Sequence, residues 1–252
     1  MSSGRRELKY FIRPADYHRI VAWLGPRVRP DKWTPPDRKD YTVHSVYFDT
    51  CDLDFYYEKL AGIKLRKKVR IRGYEHGNQR RDLFLEIKRK YGNLVYKDRA
   101  LVKMGHLEPL LDSGRPGDVL PNARARDLEV IGMFLHNLKA RALRPVVLIT
   151  YEREALIGET DPSVRVTFDR NVRCRFLPEV EDIYSEGDWD GASASETIME
   201  IKFNGAMPYW LRHMTWAFGI SPLAISKYCR SIDACSDFAC ESSVRLLRLH
   251  GV

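Results

Sequence analysis

The residues best suited to chemistry in this chain are cations that recur at every second position of one short segment. Lys64, Arg66, Lys68, Arg70 and Arg72 share one parity, and the other parity is apolar except for Lys67. Successive side chains of a β-strand point to opposite faces, so the pattern predicts a strand with one apolar and one strongly cationic face. Like charges opposite one another repel, so such a face needs water, acidic neighbours or a polyanion.

Further segments repeat this division into an apolar and a charged face. The predicted strands span residues 7–12, 41–48, 83–90, 94–102, 146–153, 164–169 and 197–203. Their charged faces, with that of the first segment, carry many cations and few carboxylates: Lys9, Lys68, Arg70, Arg72, Lys88, Lys90, Lys97, Arg153, Arg165 and Lys202 against Glu7, Glu86, Asp169 and Glu200. Charge-assisted hydrogen bonds to phosphate are strong, and Arg can form two at once, so a phosphate chain is a suitable ligand.

The elements that position these cations are predicted to form an α+β fold. Apolar residues at helical spacing predict helices over residues 14–24 and 127–143, and each helix needs an apolar surface to cover. If the helices cover the apolar face of a sheet, the charged face turns inward, as in a closed antiparallel barrel with a polar lumen. The alternative is an ordinary half-exposed sheet whose charged face is simply wet. Residues 105–123 and 177–195 are predicted to be irregular.

Composition narrows the class of protein. The chain has 252 residues, 44% hydrophobic and 30% charged, with a net charge of +8, so a folded core is expected and the partner is expected to be anionic. No apolar run is long enough to cross a membrane, which predicts no transmembrane segment and leaves room for a membrane partner protein. The five cysteines have no Cys-x-x-Cys spacing, and we expect reduced thiols in a cytoplasmic protein.

Eight short motifs in order give the chain a resemblance to a known family. They are Glu7-Leu8-Lys9-Tyr10, Tyr47-Phe48-Asp49-Thr50, Arg70-Ile71-Arg72, Glu86-Ile87-Lys88, Tyr151-Glu152-Arg153, Val164-Arg165-Val166, Glu200-Ile201-Lys202 and Ser226-Lys227-Tyr228. This set resembles the catalytic VTC (vacuolar transporter chaperone) domain of the triphosphate tunnel metalloenzyme (CYTH-like) superfamily. The similarity runs from about residue 5 to 233. We therefore expect one domain over residues 1–233 and a C-terminal tail over residues 234–252.

The resemblance implies a closed eight-stranded antiparallel β-barrel with helices packed on the outside. Such a tunnel binds ATP and inorganic polyphosphate or triphosphate together with Mn²⁺ or Mg²⁺. In this branch the γ-phosphate of ATP is transferred to a growing polyphosphate chain, whereas hydrolytic relatives cleave triphosphates. The hydrolytic branch opens with Glu-x-Glu-x-Lys, but Arg5 stands here where the first carboxylate would be, before Glu7 and Lys9. This departure favours the polymerase.

The resemblance and the shared faces together assign roles. We expect the reaction to depend on Arg70, Arg72, Lys88, Arg153, Arg165 and Glu200. Further phosphate contacts are expected from Lys9, Lys68, Lys90, Lys97, Lys202 and Lys227. Glu200 and Glu7 are the candidate metal ligands, because a hard divalent ion prefers carboxylate oxygen. The alternatives are solvation of the cations and simple ion pairs between Glu and Lys or Arg.

Other functions remain open at this point. A triphosphate hydrolase of the same fold is the first alternative, and a polyphosphate-binding module without turnover is the second. A nucleic-acid binder would need aromatic residues interleaved with the cations for base stacking, and Phe84 is the only clear case, so no nucleic acid is expected. The chain has no Gly-x-x-x-x-Gly-Lys-Ser/Thr run, so we expect no P-loop to hold a nucleotide.

Overall fold

The computed structural model of the chain describes residues 5–75, 82–92, 94–193 and 196–238. The chain divides into two compact units. The first unit comprises Met1–Thr42, Thr150–Arg173 and Ala192–Ser226, and the second comprises Val43–Ile149, Cys174–Gly191 and Lys227–Val252.

Within the described ranges the chain forms ten β-strands, of which two are only three residues long. They are β1 (Arg6–Ile12), β2 (Val28–Pro30), β3 (Tyr41–Asp49), β4 (Leu65–Glu75), β5 (Asp82–Tyr91), β6 (Leu94–Lys103), β7 (Arg144–Gly158), β8 (Arg165–Phe176), β9 (Gly191–Ser193) and β10 (Thr197–Phe203). The α-helices of the same ranges are α1 (Pro14–Leu24), α2 (Asp54–Leu60), α3 (Leu107–Ser113), α4 (Pro116–Val119), α5 (Ala125–Ala140), α6 (Tyr209–Ala217) and α7 (Lys227–Phe238).

In the first unit the strands pair in the order β1-β10-β8-β7, and the registers from β1 to β8 are antiparallel. One face of these strands is apolar and buried. Tyr10, Ile201, Val166 and Phe168 pack there in one core with residues of α1 and α6. Ile20 of α1 is fully buried in this core, which confirms that the first predicted helix covers an apolar sheet face.

In the second unit the order is β7-β3-β4-β5-β6, with antiparallel registers from β4 to β6. Val69, Ile71, Leu85 and Ile87 lie on the apolar face and pack in one core with α3 and α5. Phe134 of α5 is fully buried in that core. The separation of an apolar, helix-covered face from a charged face is therefore confirmed in this unit as well.

The closed barrel is the expectation that the structure does not support. The strand order is open among the described residues, because it ends at β1 on one side and at β6 on the other. Closure would need a ladder of backbone hydrogen bonds between the first and the last strand of the order. The predicted α+β fold is confirmed, with a large antiparallel sheet and packed helices.

Two segments contain more helix than the sequence predicted. Residues 105–123 include α3, whose Leu107 and Leu110 are buried, and the left-handed conformation of Gly114 (φ 64°) ends that helix. Seven residues are too few to display a helical period, so the signal is weak. α7 continues to Phe238, so the start of the predicted tail is helical. The sequence also predicts turns around Glu75–Asn78 and at Tyr91-Gly92-Asn93. Both predictions lie partly outside the described residues, as does the rest of the tail.

Candidate functional site

The charged face of β4, β5 and β6, which belongs to the second unit, is the first candidate site and is called here the basic cluster. Its members are Arg66, Lys68, Arg70 and Arg72 of β4, Glu86, Lys88 and Lys90 of β5, and Lys97 and Arg99 of β6. The antiparallel registers place them in rows across the three strands. Eight cations of the basic cluster therefore surround a single carboxylate, and the pair of Asp82 and Lys103 lies at the end of the same face, so positive charge is in large excess there.

One row of the basic cluster consists of lysines alone. Lys68 lies opposite Lys88, and Lys88 lies opposite Lys97 on its other side. Directly opposite side chains have Cβ atoms only about 4.5–5.5 Å apart, and like charges at that spacing destabilise a sheet. A bound polyanion would convert this repulsion into attraction, so the lysine row is a feature that an anionic ligand explains.

The neighbouring row places the one carboxylate between two arginines. Glu86 lies opposite Arg70 and Arg99, and its side chain is fully buried. Arg70 Nη2 lies 2.6 Å from Glu86 Oε2, and Lys97 Nζ lies 2.5 Å from Oε1. Burial alone would raise the pKa of Glu86, but the charges of Arg70, Arg72 and Lys97 outweigh it and hold that pKa well below its usual range. Glu86 is therefore a permanent negative charge that holds the surrounding cations in place.

Tyr47 and Ser45 of β3 orient the two arginines of β4. Arg70 Nη1 donates a 2.8 Å hydrogen bond to Tyr47 Oη, and Arg72 Nε donates a 3.0 Å hydrogen bond to Ser45 Oγ. Burial would raise the pKa of Tyr47, but Arg70, Lys68 and Arg72 lower it to about 7. The hydroxyl of Tyr47 is therefore unusually acidic and, when ionised, adds a second negative charge to the basic cluster.

Lys97 also has a shifted pKa. Burial lowers it, and although the Glu86 charge raises it, the charges of Arg70 and Arg72 add to the lowering, so the pKa of Lys97 falls to about 8. Burial is the larger cause of this lowered pKa, and repulsion from the two arginines adds to it. A phosphate group beside Lys97 would favour the protonated, charged form of its amine.

A buried hydrogen-bond network holds Tyr47 in place beside the cations. Tyr228 of α7 stacks on Tyr47 with ring centroids 5.2 Å apart, and its hydroxyl donates to Asp49 Oδ2. Asp49 also accepts backbone N–H bonds from Phe55 (2.9 Å) and Tyr56 (3.1 Å) at the start of α2. The Asp49 and Tyr228 motif residues thus link β3, α2 and α7, and fix the ring against which Arg70 lies.

The charged face of the first unit is a second candidate site, called here the mixed cluster. Its members are Glu7 and Lys9 of β1, Arg153 of β7, Arg165 and Asp169 of β8, and Glu200 and Lys202 of β10. The register places Lys202 between Glu7 and Arg165, and Glu200 opposite Lys9. With four cations and three carboxylates, the mixed cluster is nearly neutral, in contrast to the basic cluster.

Each carboxylate of the mixed cluster lies against a cation. Glu200 Oε1 is 2.6 Å from Lys202 Nζ, and Glu7 Oε1 is 3.4 Å from Lys9 Nζ. Lys9 Nζ also donates to the Ile225 carbonyl oxygen at 3.2 Å. The carboxylates and the lysines of β1 and β10 therefore alternate in both directions, which makes the pairs mutually stabilising.

The two arginines of the mixed cluster are bound more tightly. Arg153 Nε and Nη2 donate to the two oxygens of Asp169 at 2.6 and 2.7 Å, and both side chains are buried. Burial would lower the pKa of Arg153, but the Asp169 charge raises it above its ordinary value. Arg165 Nη2 lies 2.6 Å from Asp31 Oδ2 in the loop after β2. Both guanidinium groups are rigidly placed, which suits a positioning role.

Comparison with known proteins identifies the family of this chain. A family model described as the VTC domain matches residues 4–236. The chain belongs to the VTC domain family. The resemblance drawn from eight short motifs is therefore confirmed.

Two solved structures are similar to this VTC domain. PH1819 from Pyrococcus horikoshii OT3 is 12% identical, with 91% of this chain and 98% of that chain covered and a TM-score of 0.48. HpAC1 from Hippeastrum, described with a dominant triphosphatase activity, is 12% identical, with coverage of 90% and 95% and a TM-score of 0.42.

The predicted site residues of the VTC domain divide between its two clusters. The basic cluster brings together Arg70, Arg72, Lys88, Lys68, Lys90 and Lys97. The mixed cluster brings together Lys9, Arg153, Arg165, Lys202, Glu7 and Glu200. Lys227 is the first residue of α7, next to the Tyr228 ring that supports Tyr47. Their roles in catalysis and phosphate binding stay predictions.

The donor set for a metal ion is small. No group of three or more His, Cys, Asp or Glu side chains in the described part of the VTC domain is placed to hold a metal. Mg²⁺ and similar hard ions often bind through one or two carboxylates together with substrate phosphates. Glu200 and Glu7, which both approach Lys202, fit that second arrangement and not a cage built from protein ligands alone.

Several residues of the basic cluster were given no role in the sequence analysis. Alternation had already placed Arg66 on the cationic face, and Arg99 shares the parity of Lys97. Tyr47 stood in one of the eight motifs without an assigned contact, and Ser45 gave no signal, because their contacts depend on pairing with residues distant in the chain. Among the described helices of the VTC domain, none is long and apolar enough to span a membrane.

Proposed function

We propose that this VTC domain is a polyphosphate polymerase that transfers the γ-phosphate of ATP to a growing inorganic polyphosphate chain. ATP as the donor, Mn²⁺ or Mg²⁺ as the ion and a cytoplasmic location are parts of the same proposal. The observation that carries it is the row Lys68–Lys88–Lys97, together with the excess of cations in the basic cluster. Family membership supports the broader statement that the chain acts on phosphate chains.

The basic cluster suits a phosphate chain better than a single small anion. Its cations extend along four successive rows of the three strands. Rows on one face lie two residues apart, or about 6.6–6.8 Å, so the charged surface is roughly 20 Å long. One phosphate would contact only one or two rows, whereas a chain of phosphates would neutralise all of them.

Transfer to a phosphate acceptor asks less of the acid–base groups of the basic cluster than hydrolysis does. A water nucleophile needs a base to take its proton, and a good base has a pKa near the working pH. Glu86 is a weak base because its pKa lies well below the usual range, so hydrolysis would have to use Lys97 or Tyr47, which already contact Glu86 and Arg70. The terminal oxyanion of a polyphosphate chain has no proton to lose and needs only orientation and charge neutralisation.

The proposed step conserves all atoms and charges. An oxygen of the acceptor's terminal phosphate forms a bond to Pγ of ATP, the bond from Pγ to the β–γ bridging oxygen breaks, and its electron pair leaves with ADP. Positioning and electrostatic stabilisation account for most of phosphoryl-transfer catalysis. We assign Arg70, Arg72, Lys88 and Lys97 to the phosphate oxygens, and Arg153 to positioning through Asp169.

The ion is assigned to the carboxylates of the mixed cluster. Glu200 and Glu7 would hold it, and Lys202, now 2.6 Å from Glu200, would be released from that contact. When bound, a divalent ion neutralises charge on the transferring phosphoryl group.

The test is to identify the products made from ATP. Purified protein is incubated with ATP and Mn²⁺, and ADP, polyphosphate and orthophosphate are measured separately. We expect ADP and polyphosphate in the wild-type protein and neither in Lys88→Gln. Lys139→Gln is the matched control, because it removes one lysine from the exposed surface of α5. Orthophosphate as the only phosphate product would instead identify a hydrolase.

A further inference from the structure

The opposite face of the same strands carries a second pair of cations. Lys67 shares the parity of Val69 and Ile71, which are buried in the core, and it is the residue that breaks the alternation of β4. The register places it directly opposite Arg89 of β5. Two cations therefore face each other on a surface that is packed against α5 and is apolar apart from Asp98 of β6, so their mutual repulsion should be unfavourable.

A cavity lies beside this pair. It has a volume of about 220 Å³ and is lined by Lys67, Arg89, Ile87, Asp98, Met133, His136 and Asn137. The first four come from β4, β5 and β6, and the last three come from α5. All of these residues belong to the second unit, so the cavity is contained within one compact body.

The charges around the cavity do not cancel. Arg89 Nη2 donates to Asp98 Oδ2, and Arg126 of α5 lies 3.3 Å from Asp98 Oδ1, so this carboxylate is shared between two arginines. Lys67 makes no ion pair with any described residue, and its ammonium donates instead to Asn137 Oδ1 at 3.3 Å. The lining is therefore net positive, with one ammonium held only by a neutral amide.

The Asn137 side chain is itself fixed in one orientation. Its Nδ2 donates a 2.7 Å hydrogen bond to the Met133 carbonyl oxygen one helical turn earlier. The amide oxygen therefore points to Lys67 and holds the ammonium at the cavity. An ammonium has three donors, and the amide oxygen accepts one of them. The arrangement thus keeps donors of Lys67 beside the cavity.

We propose that this cavity is a second anion site, which binds a small inorganic oxyanion such as orthophosphate between Lys67 and Arg89. Size favours a small ion, because pockets for drug-sized ligands have volumes of about 300–1,000 Å³. Charge favours an oxyanion, because ammonium and guanidinium groups form their strongest hydrogen bonds with phosphate-like oxygens. An anion here would also relieve the repulsion between the two opposed cations.

The site is separate from the basic cluster, although the same strands carry both. Lys67 and Lys68 are neighbours in sequence, as are Lys88 and Arg89, but alternation sends the members of each pair to opposite faces of the sheet. Anion binding at the cavity therefore requires neither turnover nor the proposed polymerase reaction. A failure of the polymerase assignment would leave this inference standing, and the reverse also holds.

Phosphate binding by calorimetry tests the inference. Inorganic phosphate is titrated at constant ionic strength into Lys88→Gln, in which the basic cluster is weakened, and then into the same protein with Lys67→Gln added. We expect the second substitution to weaken binding about tenfold or more, the loss expected when one charge-assisted hydrogen bond is removed. Lys139→Gln, with the same change of charge on α5, is expected to leave binding within about twofold.

Two results would overturn the inference. One is an equal effect of Lys67→Gln and Lys139→Gln, which would indicate a general effect of net charge. The other is a loss seen with tripolyphosphate but absent with orthophosphate, which would mean that the occupant is not a small ion. Thermal unfolding of each variant without phosphate confirms that the compared proteins are folded. Turnover of ATP by the single variant Lys67→Gln is expected to equal that of the wild type.

Discussion

Glu86→Gln separates the two effects that the basic cluster should have on stability and on binding. The wild-type carboxylate is fully buried, 2.6 Å from Arg70 and 2.5 Å from Lys97. The substitution keeps the shape of the side chain and removes its charge. Without that charge the cations of the face repel one another with no carboxylate among them, so the empty protein should be destabilised. The same change makes the face more positive, so an anionic ligand should be bound more strongly.

The expected size follows from the burial of the pair. Removing one partner of a buried ion pair costs about 3–5 kcal/mol. In a chain of this size each kcal/mol lowers the midpoint of thermal unfolding by about 2–4 °C, so we expect a fall of roughly 6–20 °C. Saturating tripolyphosphate should restore more of the midpoint in Glu86→Gln than it adds in the wild type, because it replaces the missing negative charge.

The measurement is thermal unfolding at neutral pH with and without tripolyphosphate. The folded-state pKa of Glu86 is depressed, so its contribution to stability is fully present above the ordinary carboxyl pKa and is lost as the pH falls through the lower, folded-state value. At neutral pH the contribution of Glu86 to stability is therefore fully present. Asp82→Asn is the control, because Asp82 lies on the same strand and its 2.6 Å pair with Lys103 is half exposed. Its loss should cost about 0–1 kcal/mol.

The reasoning would be refuted by either of two outcomes. If Glu86→Gln unfolds within about 1 kcal/mol of the wild type, the buried pair does not hold the cations as described. If tripolyphosphate raises the midpoint equally in Glu86→Gln, Asp82→Asn and the wild type, the ligand does not bind beside Glu86.

Two further predictions concern the same face. Arg70→Ala should lower turnover by about 10²–10³-fold, since it removes a charge that stabilises the transferring phosphoryl group. Circular dichroism should show that the variant keeps its fold. Unchanged steady-state rates would mean that Arg70 is not part of the site. In the wild type, tyrosinate absorbance should rise in a step near pH 7, and that step should be absent in Tyr47→Phe. The step of Tyr74 should remain in the variant. Burial raises the pKa of Tyr74, but the cations Arg72, Arg99 and Lys97 lower it to about 8. Because the folded-state pKa of Tyr47 is depressed, its contribution to stability grows above about pH 7 and is lost below it. Tripolyphosphate should move the ionisation step of Tyr47 to higher pH. An ionisation step at the same pH with and without tripolyphosphate would contradict this prediction.

The parts of the fold that follow a local period could be predicted from the sequence. Alternation along β4 and β5 identified the face that carries Arg70 and Lys88, and helical spacing identified α5. The same alternation also marked Lys67 as an exception, and the structure shows it beside a cavity. These patterns are visible in the sequence because burial of one face of an element restricts the residue type at each position separately.

The pairing of particular side chains could not be predicted in the same way. Glu86 faces Arg70 because of the β4–β5 register, which depends on the connection between the strands and not on either strand alone. Tyr228 reaches Asp49 across 179 positions of the chain, which no local pattern encodes. Closure into a barrel was also a non-local prediction, and the open strand order does not support it.

The most direct test of the central claim is an experimental structure of the chain with tripolyphosphate bound. The claim is that the cations of β4, β5 and β6 form the surface that holds a phosphate chain. We predict phosphate oxygens within hydrogen-bonding distance of Arg70, Lys88 and Lys97. Ordered tripolyphosphate bound elsewhere, with these three side chains contacting only protein and water, would contradict the account.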